Sequence, residues 1–162
     1  TKKGYVFNDG IISYSKSKYN KIDFDSSVSS FYTSKKLYDA GYPIILSQLV
    51  KEMNYINWNS LRNLFDEKIK LLLNSTKRKL CSSSLKYNNK TFQIFGVDFV
   101  VTNSMDTRIL EVNVGPGMEP YCDIDKKMRI KLHQDMLLIV GVVNKHPSDP
   151  KLSNGFRKMW EK

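Results

Sequence analysis

Residues 92–116 read FQIFGVDFVVTNSMDTRILEVNVGP. Two runs rich in β-forming residues, Phe92–Val101 and Thr107–Val114, flank the polar turn Asn103–Ser104–Met105–Asp106, which is the pattern of a β-hairpin. Folded symmetrically about the Ser104/Met105 bond, the hairpin pairs residues whose numbers sum to 209, so Asp98 stands opposite Glu111 and Gly96 opposite Asn113. Side chains alternate along a strand, which places Glu111 and Asn113 on the face that carries Asp98. The opposite face, with Phe95, Val97, Phe99 and Val101 against Leu110, Val112 and Val114, is expected to be core. Two carboxylates directly across from each other repel and weaken a sheet unless a cation lies between them. Two carboxylates and an amide oxygen form a hard, oxygen-only donor set, which suits magnesium better than zinc. The plainer alternative is a hairpin whose acidic pair is simply solvated.

These residues carry a resemblance. Phe95-Gly-Val-Asp98-Phe followed by Leu110-Glu-Val-Asn113-Val-Gly-Pro116 resembles the metal-binding strands of the ATP-grasp ligases, and more narrowly the tubulin–tyrosine ligase-like family. The resemblance implies an α/β chain of the α+β type, a mainly antiparallel sheet packed with helices, forming the C-terminal portion of an ATP-grasp fold. It implies that Asp98, Glu111 and Asn113 hold the Mg2+ ions of ATP, with Asp98 and Glu111 as the catalytic carboxylates. The implied reaction is carboxylate–amine ligation through an acylphosphate, joining a free amino acid to an acidic protein or peptide such as a tubulin tail. Alternatives are an ATP-grasp ligase acting on a small molecule, or a non-catalytic basic module that binds an acidic protein or nucleic acid. The opening Tyr5-Val-Phe-Asn-Asp-Gly-Ile-Ile is similar to a hairpin of the same family. Two departures stand out: Ser13 replaces an arginine, and no Asn occupies Ser30–Thr33, where the family has a His-Leu-Thr-Asn-type strand. Those family positions help to hold nucleotide or substrate. The family's nucleotide-gripping lysines are expected upstream of Thr1, so residues 1–162 read as a single domain or fragment that is inactive in isolation.

Composition is compatible with this reading. The chain has 162 residues, 41% hydrophobic and 26% charged, which is globular and enough for an ordinary core. No apolar run approaches the ~20 residues of a membrane span. Cys81 and Cys122 form neither a disulfide framework nor a metal spacing, and no signal-peptide pattern opens the chain, so a cytoplasmic, reducing setting is expected. The 26 Lys+Arg against 16 Asp+Glu give a net charge of +10, which calls for an anionic partner. The basic–aromatic pattern of a nucleic-acid-binding sheet is not seen.

Along the rest of the chain, Asn8-Asp9-Gly10 between Tyr5–Phe7 and Ile11–Tyr14 predicts a first hairpin. Lys16–Ser30 reads as a loop and Phe31-Tyr-Thr33 as a short strand. Pro43 is expected to open a helix reaching Met53. A second helix, capped by Asn59 or Ser60, carries the apolar stripe Leu61, Leu64, Phe65, Ile69, Leu72 and Leu73. Asp125 is expected to start a last helix whose buried stripe is Met128, Leu132, Met136, Ile139 and Val140. Lys126, Lys127 and Arg129 then fall in its first turns, where the helix dipole disfavours cations. Lys126 and Lys127 are therefore candidates to face phosphates or an acidic acceptor near Asn113, although a lysine-rich exposed turn accounts for them equally well. His133 and His146 lack any metal spacing and read as surface residues. The tail beyond Pro150 reads as a short basic segment carrying Trp160.

Overall fold

Strands β2 (Phe95–Val101) and β3 (Thr107–Val114) form the expected antiparallel hairpin. The computed structural model in which it is seen describes residues 3–15, 17, 22, 31–53, 57–82, 92–102, 104–143 and 153–161. At the far end of the ladder Asp98 pairs with Glu111 and Gly96 with Asn113, the register expected from the sequence. Near the turn the register differs by one: Phe99 pairs with Ile109 and Val101 with Thr107. The turn sets that end. Thr102 N–H donates to the Asp106 carbonyl at 2.9 Å, and Met105 takes a φ of 62°. Leu110 is the extra residue of a bulge between the two registers. In consequence Ile109, not Leu110, joins Phe99 on its face. Phe99 packs on Phe65 of α3 (Trp58–Ser82) at 4.7 Å between ring centroids. The expected core face is only partly covered: Leu110 is 68% and Val114 72% exposed.

The other antiparallel pair joins the ends of the sequence. β1 (Lys3–Phe7) pairs with β4 (Phe156–Glu161), and the predicted hairpin across Asp9-Gly10 does not form. Phe7 meets Phe156 edge-on at 5.0 Å, Asn8 N–H donates to the Gly155 carbonyl, and Arg157 binds both Asn8 and Asp66. Asp9 caps the N–H groups of Gly10 and Ser47 instead of closing a turn. Ile11 bridges to Ile45. An Asp-Gly step favours a turn, but partners distant in sequence supply more burial than a hairpin closed locally. The tail, read from sequence only as a short basic segment, is a strand over Phe156–Glu161.

The helices depart from expectation mainly at their ends. Phe31–Thr33, expected as a strand, begins helix α1 (Phe31–Asp39), which Lys35 and Asp39 support as an i,i+4 ion pair at 2.8 Å. A three-residue aromatic run is too short to set its own conformation. Helix α2 (Leu46–Glu52) starts three residues beyond Pro43, because the Ile44 and Ile45 backbone pairs with residues 10–12 and Gln48 Oε1 accepts both their N–H groups. The cap of α3 is Asn57, whose Oδ1 accepts the Ser60 N–H, and Leu61 and Ile69 are the buried members of its stripe. Helix α4 (Asp123–Ile139) begins two residues before Asp125. Its expected apolar stripe is half-buried, whereas Asp125 and Asp135 are fully buried.

Four helices and two antiparallel sheets among the described residues make this an α+β fold. The chain divides into two compact units. One comprises residues 1–8, 56–118 and 132–162 and contains both strand pairs and α3; the other comprises 9–55 and 119–131. The predicted loop 16–30, and His146, lie largely or wholly outside the described residues. No described helix is long and apolar enough to cross a membrane.

Candidate metal centre on the β2–β3 hairpin

The hairpin brings together the three side chains singled out from the sequence. Asp98 and Glu111 are a direct cross-strand pair, and Asn113 follows two residues after Glu111 on the same face. Paired residues of an antiparallel ladder have Cβ atoms about 5 Å apart, close enough for one cation to lie between two carboxylates. Both acids are exposed and Asn113 is half-buried. Among the described residues neither acid forms an ion pair. The donor set is two carboxylates and one amide, all hard oxygen ligands, on a face that apolar packing does not close.

The turn that follows β3 bounds this face. Gly115 adopts φ +75°, a conformation glycine takes without a Cβ penalty, and its N–H points to the Ile94 carbonyl at 3.5 Å. Pro116 is thereby folded back toward Gly96, the residue across from Asn113. The same turn walls a shallow cleft of about 250 Å3 shared with Phe92, Met118 and His133. His133, expected on the surface, is half-buried at this cleft.

Lys126 and Lys127 are exposed on α4, in the unit that does not contain the acidic pair. Their conflict with the helix dipole is smaller than the sequence implied. The earlier start of α4 puts Asp123 and Asp125 in its first turn. Arg129, grouped with these lysines in the sequence, is held by the helix itself. Its Nε donates to Asp125 Oδ1 at 2.6 Å and its guanidinium lies 5.6 Å from the centre of the Tyr121 ring. Asp125 also accepts the Tyr121 N–H at 2.9 Å. The sequence offered one signal of this clamp, the i,i+4 spacing of Asp125 and Arg129.

The same unit contains a tyrosine cluster that the sequence did not disclose. Tyr14 donates its hydroxyl to the Pro43 carbonyl, its N–H donates to the buried Ser34, and its ring meets Tyr38 and Tyr42 edge-on. Burial, then the neighbouring Tyr38, Glu52 and Tyr42, push the Tyr14 phenol up to about 12. Burial likewise raises Tyr38. Ser13, the position where an arginine was expected, is exposed beside this cluster in sequence.

A family model described as "Tubulin-tyrosine ligase family" matches residues 3–149. Over 68 residues the chain is 26% identical to tubulin polyglutamylase TTLL5 of Mus musculus, a stretch that is 42% of this chain and 5% of that protein. Over 81 residues it is 28% identical to tubulin glycylase 3D of Tetrahymena thermophila, covering 48% of this chain and 8% of that protein. The chain thus spans a small part of the length of these relatives. A family match across most of its length, together with its α+β architecture, makes this chain a member of the tubulin-tyrosine ligase family.

Proposed function

We propose that this chain is the metal-binding part of an ATP-dependent carboxylate–amine ligase that adds an amino acid to tubulin. The observation that carries the reading is the opposed pair Asp98 and Glu111, with Asn113 beside them, in a family whose named relatives include a tubulin polyglutamylase and a tubulin glycylase. Two unneutralised acids across a ladder weaken it, so their pairing on an open face fits a site built for a cation. Mg2+ bound there would offset the charge that accumulates on the β- and γ-phosphate oxygens of ATP. Asp98 and Glu111 would be its anionic ligands. Asn113 would add a neutral oxygen, which would keep the site from becoming too negative for a polyphosphate.

In the proposed reaction a carboxylate oxygen takes the γ-phosphoryl group of ATP and ADP leaves. An amine then attacks the acyl carbon, the bond from that carbon to the phosphate oxygen breaks, and phosphate departs as the new amide loses a proton. Lys126 and Lys127, exposed and cationic, are proposed contacts for an acidic acceptor segment.

Melting of the full-length protein tests this. Magnesium and ATP together should raise its Tm, and Asp98→Asn should remove the shift. An equal shift in Asp98→Asn would overturn the assignment. Tight, steeply salt-dependent binding to nucleic acid without a nucleotide effect would favour a basic binding module in its place.

A further inference from the structure

Gly96 and Pro116 occupy one volume above the metal face. A Cβ placed on Gly96 would lie 2.9 Å from Pro116 Cβ, 3.6 Å from Pro116 Cγ and 3.7 Å from Asn113 Cβ. Carbon atoms make favourable contact at about 3.5–4 Å, so 2.9 Å is a collision. Gly96 pairs with Asn113 in the ladder, and Asp98 follows it by two residues on the same face. The space that a side chain at position 96 would take is therefore next to the Asn113 side chain, and the proline ring fills it. Gly115 at φ +75° turns the chain back to this point, and the fixed φ of proline makes the returning segment stiff.

We propose that Gly96 and Pro116 are positioning residues for Asn113, the ring of one filling the gap left by the other and forming a rigid wall beside the amide. The inference rests on the metal site proposed above. Free in water, an asparagine side chain samples several rotamers, and a neutral oxygen ligand helps a metal only when it is already aimed. A wall on one side removes rotamers before the ion arrives, so less entropy is lost on binding. Neither Gly96 nor Pro116 touches the ion in this arrangement. Their effect reaches it through Asn113 alone.

The test is Mn2+ affinity, measured by the loss of the free-ion paramagnetic resonance signal on titration with full-length protein. Gly96→Ala inserts the colliding carbon and should weaken Mn2+ binding about tenfold, the scale on which supporting residues act on metal sites. Pro116→Gly removes the wall without adding bulk and should weaken binding in the same direction. In the double variant the added methyl has room, so affinity should return to that of Pro116→Gly alone. Folded Gly96→Ala or Pro116→Gly protein that binds Mn2+ as the parent does, whatever its Tm, would reduce the contact to packing and overturn the inference. Should Gly96→Ala fail to fold, Pro116→Gly and the double variant decide. Asp98→Asn separates the two failures. If it too binds Mn2+ unchanged, the metal site itself is wrong; if it alone weakens binding, the site stands and the positioning role falls.

Discussion

Asp98 and Glu111 face each other across the β2–β3 ladder as an exposed like-charged pair, in a hairpin that would be more stable if one of them were neutral. Glu111→Gln separates the two consequences of this arrangement. Metal-free protein should gain about 0.5 kcal/mol from relief of the repulsion, read as a higher urea midpoint. Ligase turnover, and ATP hydrolysis with it, should be abolished. A folded Glu111→Gln protein with normal ATP hydrolysis would count heavily against the assignment.

The bulge makes a less obvious prediction. Leu110 is the unpaired residue between the ladder set by the turn and the ladder that carries the acids. Its deletion should bring Ile109 and Glu111 together in one continuous strand and leave Asp98 opposite Glu111. Mn2+ titrated without nucleotide should therefore bind the deletion variant as it binds the parent. Loss of Mn2+ binding by a folded deletion variant would mean that the bulge shapes the site and does not merely join two registers.

Thr107, opposite Val101, is fully buried, and its hydroxyl has no hydrogen-bond partner among the described residues. A buried hydroxyl loses its water and gains nothing in return. Thr107→Val keeps the shape and removes the polar atom, so it should stabilise the protein by about 1 kcal/mol in a urea titration. Destabilisation would show that the hydroxyl is satisfied after all.

The tyrosine cluster predicts an alkaline limit. Burial and neighbouring charge raise the Tyr14 phenol from 10.0 to about 12. The folded state therefore holds this proton more tightly than the unfolded chain does. The resulting stability is complete below pH 10 and is lost as pH rises from about 10 to 12, where the unfolded chain ionises first. Tyr14→Phe should flatten this part of the stability–pH curve, and at neutral pH should cost about 1 kcal/mol for the lost bond to the Pro43 carbonyl. An unchanged slope in Tyr14→Phe would exclude the residue as the source.

The pairing within the hairpin was more legible than the fold around it. Strand alternation and a short turn are local rules, and they suffice to place Asp98 against Glu111 and Gly96 against Asn113. The bulge was not legible, because a one-residue excess depends on how the turn closes and on Phe99 finding Phe65 of α3. Helical spacing similarly marked α3, while its cap, and the starts of α2 and α4, were displaced by hydrogen bonds to particular side chains and backbone groups.

What the sequence determined by itself is local: the pairing of Asp98 with Glu111 and of Gly96 with Asn113 in one hairpin, and the family. What tertiary structure alone decided is which distant segments pair and which polar groups are buried. β1 chose β4 over the segment next to it, and Asp125 and Asp135 lie deeper than the apolar stripe of their own helix. The physical reason is the range of the forces involved. Alternation and turn geometry act within a few residues, whereas burial and the satisfaction of buried charge depend on neighbours that only the folded chain brings together.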